Sequence, residues 1–268
     1  MKMRTKFIQK FQQKYGPWAL VTGASSGIGT EFAKQLAATG LNLVLVARRK
    51  DRLEKLKQNL EQNYNVKVRI APVDLTDPDF ISRIRKVTDD IDVGLLVSNA
   101  GMMYIGHYLD NSLENEMKMI DLNIKAPSIL THHFGKKMTE RGKGGIIYTA
   151  SMLGFMGTPY ATAYAATKAY EVAKAEGLAY ELKSKGVDVL ALNPGLTETE
   201  MTANYDFSAM PMKLMKPEKV ARTALHCLGR RTLATPGKMN NMMNFFAKHL
   251  MSRQMNTKMF GGFMKKTF

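Results

Sequence analysis

Residues 18–40, with the sequence WALVTGASSGIGTEFAKQLAATG, join an apolar run, a glycine-rich turn and an amphipathic segment without interruption. The run Trp18–Thr22 is typical of a strand buried on both faces, and Gly27–Thr39 has the apolar spacing of a helix. Glycines in such a turn let the backbone approach a pyrophosphate, and the N-terminus of the following helix offers N–H donors. The stretch therefore predicts a dinucleotide-binding turn, although its Gly-x3-Gly-x-Gly spacing departs from the usual Gly-x-Gly-x2-Gly.

Short apolar runs and longer segments of helical period continue to alternate beyond this turn. The further apolar runs are Leu41–Ala47, Val66–Pro72, Val93–Ser98, Gly145–Ala150 and Val187–Asn193. The helical segments between them include Asp51–Gln62, Pro78–Asp89, Leu122–Arg141 and Tyr164–Lys185. Such alternation predicts an α/β fold, namely a single Rossmann-type doubly wound parallel sheet with helices on both faces. We expect residues 15–237 to form one dinucleotide-binding and catalytic domain between a basic N-terminal helix, 1–14, and a basic apolar C-terminal extension, 238–268.

Composition excludes several classes of protein. The 268 residues are 45% hydrophobic, and the single cysteine, Cys227, excludes an internal disulfide framework. Five histidines show no metal-ligand spacing, so we expect no metal site. The chain lacks the roughly 18 uninterrupted apolar residues of a membrane-spanning helix, and its basic N-terminus lacks the apolar core of a secretory signal. We therefore expect an intracellular, reducing compartment and a cytoplasmic protein.

The net charge of +16 is concentrated at the two ends of the chain. Residues 1–14 contain five cations and residues 219–268 contain ten, with no acid in either segment, so the body is nearly neutral. Neither end has a nucleic-acid-binding motif, and we expect no nucleic acid partner. Apolar residues recur at helical spacing at both ends, at 7, 8, 11 and 15 and at 239, 242, 243, 246 and 250. These stripes predict packing onto the body or a partner subunit, with peripheral contact with a membrane surface, or disorder, as the alternatives.

The end of the second predicted strand indicates which dinucleotide binds. It reads Ala47-Arg48-Arg49, where an NAD site has an acidic residue for the ribose hydroxyls. Two guanidinium groups suit the 2′-phosphate of NADP(H), which is the cofactor that we predict. The alternative for Arg49 is the start of a solvated helix face. In the glycine-rich turn, we expect cofactor contacts from Gly23, Ser25, Ser26, Gly27, Ile28 and Gly29.

A tyrosine and a lysine form the candidate catalytic pair. Tyr164 and Lys168 stand four residues apart and so share one face of a predicted helix. A phenol, with its pKa of about 10, is a poor acid–base at neutral pH, and a nearby cation lowers that pKa. Ser151 follows the predicted strand that ends at Ala150, on the same side of the sheet as the glycine-rich turn. Although an isolated pair of this spacing is more often surface decoration, the three residues together predict that Tyr164 exchanges a proton with a substrate oxygen that Ser151 hydrogen-bonds.

These motifs together resemble the short-chain dehydrogenase/reductase family, in order and spacing, across residues 15–230. The resemblance is carried by Thr22–Gly29, Asn99-Ala100-Gly101, Asn123, Ser151, Tyr164, Lys168 and Pro194-Gly195. It implies that Asn123 holds the water of a proton relay and that Lys168 also binds the nicotinamide ribose. It further implies cofactor contacts from Asp74, Leu75, Asn99, Ala100, Gly101, Tyr164, Pro194, Gly195, Thr197 and Thr199. The family's usual Asn-Asn-Ala-Gly begins with Ser98 here.

A narrower resemblance concerns the substrate. Residues 15–23 and 92–97 look like the branch that holds 17β-hydroxysteroid dehydrogenases and long-chain 3-oxoacyl-CoA reductases, and so imply lipid metabolism. The segment Met201–Met215, where this family has its substrate lid, contains Tyr205, Phe207, Met210, Pro211, Met212, Leu214 and Met215. A second apolar wall is predicted from Met152, Leu153, Phe155, Met156 and Tyr160. Flexible thioethers adapt to an irregular lipophilic ligand, although these residues could also simply pack against each other.

Two functions of different classes fit the sequence. The first is an NADP(H)-dependent oxidoreductase that interconverts a ketone, lipophilic in character, and a secondary alcohol. The second is a dinucleotide-binding regulatory or scaffold protein without turnover. The intact Asn–Ser–Tyr–Lys set favours the first, because a sensor does not need a proton path. We expect a small-molecule carbonyl substrate and a homo-oligomer, either a dimer or a tetramer.

Overall fold

A computed structural model describes residues 5–208 and 213–267 of the chain. Within these residues, seven strands form one parallel sheet in the order β3-β2-β1-β4-β5-β6-β7. The strands are β1 (Trp18–Thr22), β2 (Asn42–Ala47), β3 (Val68–Pro72), β4 (Val93–Ser98), β5 (Gly144–Thr149), β6 (Val187–Leu192) and β7 (Leu233–Ala234). The predicted Rossmann-type parallel sheet is confirmed.

Ten α-helices connect and flank the strands within the described residues. They are α1 (Thr5–Tyr15), α2 (Gly27–Ala37), α3 (Lys50–Asn63), α4 (Phe80–Arg85), α5 (Leu113–Ile120), α6 (Ala126–Arg141), α7 (Thr162–Lys183), α8 (Pro217–Cys227), α9 (Lys238–His249) and α10 (Arg253–Met264). A π-helical turn, Asp121–Lys125, joins α5 to α6, and 3-10 turns lie at Tyr108–Asp110 and Met152–Phe155. The sequence did not predict α5, α8, α10 or the short β7, and it extended α4 too far at both ends.

The sheet is buried on both faces because side chains of a strand alternate between its two sides. In β1, Ala19 and Val21 belong to a core with residues of α2, α3 and α8. Trp18 and Leu20 belong to a second core with residues of α4, α6 and α7. This double burial explains why the central strands read as continuous apolar runs in the sequence.

The N-terminal helix packs onto the body of the protein. Phe11 and Tyr15 are buried in the larger core, and Phe7 stacks on His226 with ring centroids 4.9 Å apart. The hydroxyl of Tyr15 donates a hydrogen bond of 2.5 Å to Asp188, next to the start of β6. Burial, together with this carboxylate, raises the pKa of Tyr15 above its ordinary value. The apolar stripe of α1 therefore packs onto the body, which is one of the arrangements predicted for it.

The topology fixes where a ligand can bind. The strand order reverses between β1 and β4, because β2 lies on one side of β1 and β4 on the other. In open parallel sheets, ligands bind at the carboxyl ends of the strands, beside such a switch point. The glycine-rich turn, the segment at Asn99, Ser151 and Pro194 follow β1, β4, β5 and β6 respectively, and so lie along this one edge.

Candidate active site

The turn after β1 has a backbone that only glycines accommodate. Gly23 and Gly27 have positive φ angles of 66° and 53°, which side-chain-bearing residues rarely adopt. A Cβ at Gly29 would lie 2.1 Å from the carbonyl oxygen of Gly23, and one at Gly23 would lie 2.9 Å from the Cα of Ala100. Helix α2 begins here, at Gly27, with Ser26 as its N-cap. The result is a narrow cradle, lined by backbone, at a helix N-terminus, which fits a pyrophosphate.

The ends of β1 and β4 are joined by the Thr22 side chain. Its hydroxyl oxygen accepts hydrogen bonds from the backbone N–H groups of Asn99, at 2.9 Å, and Ala100, at 3.0 Å. The Asn99 amide donates in turn to the carbonyl oxygen of Thr22 at 3.0 Å. These bonds hold the predicted cofactor-lining residues Asn99 and Ala100 directly against the glycine-rich turn.

The structure distinguishes between the two arginines after β2. Arg49 points to the glycine-rich turn, where its guanidinium donates to the hydroxyls of Ser25 and Ser26, each at 3.0 Å. Arg49 also pairs with Glu200 at 2.8 Å. Arg48 is 77% exposed and lies 3.7 Å from the carboxylate of Asp74. The structure thus places Arg49 at the turn itself and Arg48 at its solvent edge, beside Asp74.

Asp74 and Leu75 follow β3 at the same edge of the sheet. Asp74 accepts hydrogen bonds from the backbone N–H of Thr76, at 3.0 Å, and from its hydroxyl, at 2.9 Å. Burial acts to raise the pKa of Asp74, but these bonds and the Arg48 charge outweigh it and leave the pKa below its ordinary value. Leu75 is buried in the core. Asp74 is therefore a fixed, ionised carboxylate beside Arg48.

The predicted catalytic side chains lie together at the end of β5. Tyr164 and Lys168 share one face of α7, and the Lys168 Nζ lies 5.7 Å from the centroid of the Tyr164 ring. Ser151 is the N-cap of the 3-10 turn after β5, where its Oγ accepts a hydrogen bond of 3.2 Å from the Leu153 N–H. Burial raises the pKa of Tyr164, whereas the Lys168 charge and a hydrogen bond with Ser151 lower it. Lys168 therefore acts in the predicted direction, but burial dominates and the pKa of Tyr164 is above its ordinary value.

Lys168 is held by partners that the sequence did not reveal. Its ammonium donates to the carbonyl oxygen of Thr149 at 2.8 Å and to Oε2 of Glu171 at 2.9 Å. Burial acts to lower the pKa of Lys168, but the charges of Glu171 and Tyr164 outweigh it and raise that pKa. A Cβ at Gly101 would lie 3.6 Å from Nζ, so this glycine leaves room beside the ammonium. Glu171 could have been found from its position one helical turn after Lys168.

Asn123 lies in the π-helical turn between α5 and α6, and π-turns of this kind are frequent at functional sites. Its Oδ1 accepts a hydrogen bond from the Met102 N–H at 3.0 Å, and its Nδ2 donates to the Met102 carbonyl at 2.9 Å. Nδ2 also donates to the Thr167 hydroxyl at 3.1 Å. The side chain thus joins the loop after β4 to α7, while its part in a proton relay stays a prediction.

The segment after β6 closes over the same edge. The carbonyl of Pro194 accepts a hydrogen bond of 3.0 Å from the N–H of Met152, which follows Ser151. The Thr197 hydroxyl donates to the Gly195 carbonyl at 3.0 Å. The methyl group of Thr199 lies 3.0 Å from where a Cβ at Gly27 would stand. Thr199 therefore lies against the glycine-rich turn, as expected of a cofactor contact.

A small apolar cluster includes Leu153, whose N–H donates to the Ser151 hydroxyl. Tyr160, beside the start of α7, has a φ of 63°, a strained conformation that is typical of functional sites. The hydroxyl of Tyr205 accepts a hydrogen bond of 3.3 Å from the Ile105 N–H. The cluster combines three buried residues, Ile105, Ala161 and Met264, with the partly buried Met103, Leu153, Tyr160, Leu196, Tyr205, Phe207 and Phe263.

The predicted apolar wall is present in part. Leu153 and Tyr160 belong to the small cluster, whereas Phe155 packs against the core on one face of the sheet. Met210, Pro211 and Met212 of the predicted lid lie outside the described residues. The contribution of Phe263 and Met264, from α10, was not predicted.

Comparison with known proteins assigns the family. A sequence profile described as short chain dehydrogenase matches residues 17–208. The chain belongs to this family of oxidoreductases. Short-chain dehydrogenases similar to it include a 7beta-hydroxysteroid dehydrogenase of Clostridium sardiniense, 33% identical over 86% of this chain and 89% of the relative. A very-long-chain 3-oxoacyl-CoA reductase of Mus musculus is 31% identical over 94% of this chain and 81% of the relative. A human protein named inactive hydroxysteroid dehydrogenase-like protein 1 is 33% identical over 89% and 73%.

Solved structures of short-chain dehydrogenases share the fold. One from a study of 7beta-hydroxysteroid dehydrogenase stereoselectivity superposes with a TM-score of 0.86, at 26% identity, over 94% of this chain and 99% of that one. A short-chain dehydrogenase from Sphingobium yanoikuyae in complex with NADPH has a TM-score of 0.76, at 32% identity, over 82% and 87%. A Brucella melitensis 3-ketoacyl-(acyl-carrier-protein) reductase complexed with NADH has a TM-score of 0.74, at 25% identity, over 82% and 96%. Similar members therefore bind a nicotinamide cofactor, phosphorylated or not.

The described residues, 5–208 and 213–267, contain no group of three or more His, Cys, Asp or Glu side chains arranged to hold a metal ion. Nor do they include a helix with the length and apolar character needed to span a bilayer.

Proposed function

We propose that this protein is an NADP(H)-dependent oxidoreductase that interconverts a lipophilic ketone and a secondary alcohol, with Tyr164 as its acid–base. One observation supports this most strongly. The phenol of Tyr164 is buried between Lys168 and Ser151, at the same sheet edge as the glycine-rich turn. A dinucleotide-binding turn and a proton-exchanging group at one edge are what hydride transfer to a carbonyl requires.

The protein residues supply orientation and the proton. The nicotinamide, when bound, supplies or accepts the hydride. In the direction of reduction, Tyr164 donates its phenolic proton to the carbonyl oxygen while Ser151 donates a hydrogen bond to the same oxygen. Lys168 stabilises the phenolate that remains, because its ammonium stays charged next to the ring. In oxidation the phenolate takes the proton of the alcohol.

The arginines after β2 support NADP(H) as the cofactor. Arg49 donates hydrogen bonds to the Ser25 and Ser26 hydroxyls, and Arg48 pairs with Asp74 at the solvent edge. A 2′-phosphate at this edge of the turn would accept charge-assisted hydrogen bonds from both guanidiniums. The carboxylates of Glu200 and Asp74 partly neutralise the two arginines, and the phosphate would compete with them for these contacts.

The apolar cluster supports a lipophilic substrate. Its member Leu153 donates its N–H to the Ser151 Oγ, and its member Ala161 is the N-cap of α7, three residues before Tyr164, so the cluster is built from residues that neighbour the reacting groups in the chain. Two relatives are named for a steroid and for a very-long-chain acyl group, both of which are bulky and apolar. Each buried methylene contributes about 0.8 kcal/mol of binding free energy, so a cluster of this kind discriminates by size.

A non-catalytic NADP-binding protein is the second candidate, which is favoured by the relative named inactive. NADPH oxidation by the purified protein separates the two functions, with a panel of straight-chain ketones of rising length and of small polar sugars. We expect turnover that rises steeply with chain length until the pocket is full, and poor turnover of the sugars. NADPH binding without turnover of any ketone would favour the scaffold. Turnover that is flat with length would remove the lipophilic substrate and leave a reductase.

A further inference from the structure

Glu171 is a buried acid for which the proposed reaction has no use. It lies on α7, one turn after Lys168, and only 1% of its surface is exposed. Its Oε2 accepts a hydrogen bond of 2.9 Å from the Lys168 ammonium, which is itself 3% exposed. Leaving a charge unpaired at this depth is strongly unfavourable, so the two groups depend on each other. The chain has an acid at a position where a helix could bury an apolar residue.

The charged and titratable groups around Glu171 come from two elements. On α7 these are Lys168, Tyr164 and Lys174, whose Nζ is 2.9 Å from the Ser128 hydroxyl of α6. From β5 comes Tyr148, whose hydroxyl makes a hydrogen bond of 2.5 Å with Thr131. Among the described residues, Lys168 is the cation that directly contacts Glu171, and Glu171 is the carboxylate that directly contacts Lys168. The charge state of Glu171 therefore decides how much net positive charge stands beside Tyr164.

An unpaired ammonium lowers the pKa of a neighbouring phenol, and an ammonium paired with a carboxylate does so much less. The three residues show these opposed effects. Lys168 lowers the pKa of Tyr164, and Glu171 raises it. Burial, opposed by the attraction of Lys168, raises the pKa of Glu171 itself to about 7. Glu171 consequently changes its charge close to neutral pH, within reach of the group that handles the proton.

We propose that Glu171 is a positioning residue that holds Lys168 in place and keeps Tyr164 protonated as the pH rises above neutral, so that the phenol stays ready to donate its proton to a carbonyl. The proposal rests on the proposed function, because it assumes that Tyr164 exchanges the proton. It adds a direction to that function: the buried pair favours the state of Tyr164 that reduction needs. Oxidation needs the phenolate of Tyr164, and the Lys168–Glu171 pair raises the pH at which this phenolate forms.

The test compares pH profiles of kcat in both directions for wild type and Glu171→Gln. The variant keeps the shape of the side chain and removes its charge, so Lys168 acts on Tyr164 without a counter-ion. We expect the rise of alcohol oxidation with pH to move to lower pH by at least about one unit. We expect the fall of ketone reduction at high pH to move in the same direction. Glu176→Gln, which makes the same charge change at an exposed site on α7, should leave both profiles in place.

Two further measurements keep the proposal testable. Glu171→Asp retains the negative charge but moves it away from Lys168 by the length of one methylene. It should therefore shift the pH profiles in the same direction as Glu171→Gln, but by less. The tyrosinate absorbance of the wild type is titrated with pH, and that of Tyr164→Phe is subtracted from it. The difference gives the pKa of Tyr164 without altering Glu171. We expect that pKa to lie above the ordinary value of about 10.

The outcomes separate this inference from the proposed function. A folded Glu171→Gln variant with unchanged pH profiles would overturn the role of Glu171, and so would a wild-type Tyr164 that ionises near neutral pH. In either case an inactive Tyr164→Phe would leave the proposed function standing. If Tyr164→Phe keeps normal activity, the proposed function itself fails, whatever Glu171 does.

Discussion

Arg49, the last residue before α3, donates a hydrogen bond of 3.0 Å to the Ser26 hydroxyl, across the gap between the ends of β2 and β1. This contact makes Arg49 the arginine that is already directed at the glycine-rich turn. A charge-assisted hydrogen bond contributes about 1.5–3 kcal/mol, which corresponds to a change in affinity of about tenfold or more. Arg49→Ala should therefore weaken NADPH binding by at least about tenfold and change NADH binding little.

Titration calorimetry with both cofactors measures this effect, and Arg48 provides the comparison. Arg48→Asp should also weaken NADPH binding by at least about tenfold and narrow the gap to NADH, because it reverses a charge at the solvent edge. Arg52→Ala is the matched control, because Arg52 also pairs with Glu200 but makes no hydrogen bond to Ser25 or Ser26 within the described structure. Equal affinity of the wild type for NADPH and NADH would contradict the assignment of the cofactor.

Tyr164 is the predicted proton donor. Tyr164→Phe keeps the buried ring and removes the hydroxyl, so ketone reduction should fall at least about 100-fold. NADPH should still bind, because the glycine-rich turn and the arginines are untouched. Steady-state kinetics measures ketone reduction, and calorimetry on the same preparation measures NADPH binding. The exposed Tyr180→Phe, on the same helix, is the control and should behave like wild type.

Replacing glycine by alanine should have opposite effects on stability at two positions, Gly29 and Gly177. A Cβ at Gly29 would lie 2.1 Å from a backbone oxygen, so Gly29→Ala should displace the turn, weaken NADPH binding and destabilise the fold. A Cβ at Gly177, inside α7, would meet none of the described atoms within 4 Å. Because alanine is the better helix former, Gly177→Ala should stabilise the protein by about 0.5–1 kcal/mol. Urea unfolding of both variants measures the two signs.

The buried carboxyl of Glu171 predicts how stability depends on pH. Its pKa is raised from 4.5 to about 7 on folding, so the folded state binds more protons than the unfolded state between these values. Its contribution to the free energy of unfolding is therefore complete below about 4.5 and is lost as the pH rises to about 7. Relative to Glu171→Gln, the wild type should lose up to about 1 kcal/mol per pH unit across this window. Urea midpoints of the two proteins that run parallel with pH would contradict the raised pKa.

The sequence predicted those features that depend on local pattern. The central strands β1, β2, β4, β5 and β6 lie within one or two residues of the predicted runs, because strands buried on both faces are continuously apolar. Tyr164 and Lys168 share a face because helical geometry fixes a spacing of four. Features that depend on tertiary packing were missed. The direction of Arg49, the pairing of Glu171 with Lys168 and the arrival of Met264 beside Tyr160 each need the folded chain.

Helix α9 presents its apolar face to solvent. Exposed large apolar side chains, between 47% and 62% accessible, recur along this face at Met239, Met242, Phe245 and Phe246, and at Leu250 directly after the helix. The side turned inward carries Asn240, which is 7% exposed. Lys238 and, on α10, Arg253 and Lys258 are exposed as well, and no acid follows Glu218 in the sequence. An exposed apolar face in a segment that carries cations and no acid is complementary to an anionic lipid surface, so this is where we expect the predicted peripheral membrane contact.

Two copies paired through the same face would bring like charges together, which favours lipid over a second chain as the partner. The protein should therefore sediment with phosphatidylserine vesicles, bind neutral phosphatidylcholine vesicles weakly, and be released by salt. Replacing Phe245 and Phe246 together with Ser should reduce vesicle binding at least about tenfold, because each ring contributes about 1.5–3 kcal/mol when buried. Leu109→Ser is the control, since Leu109 is 90% exposed and belongs to the 3-10 turn Tyr108–Asp110 rather than to α9. Light scattering could instead show a dimer that dissociates when Phe245 and Phe246 are replaced, while the protein does not bind vesicles. In that case a second copy covers this face, and the prediction of lipid binding is wrong.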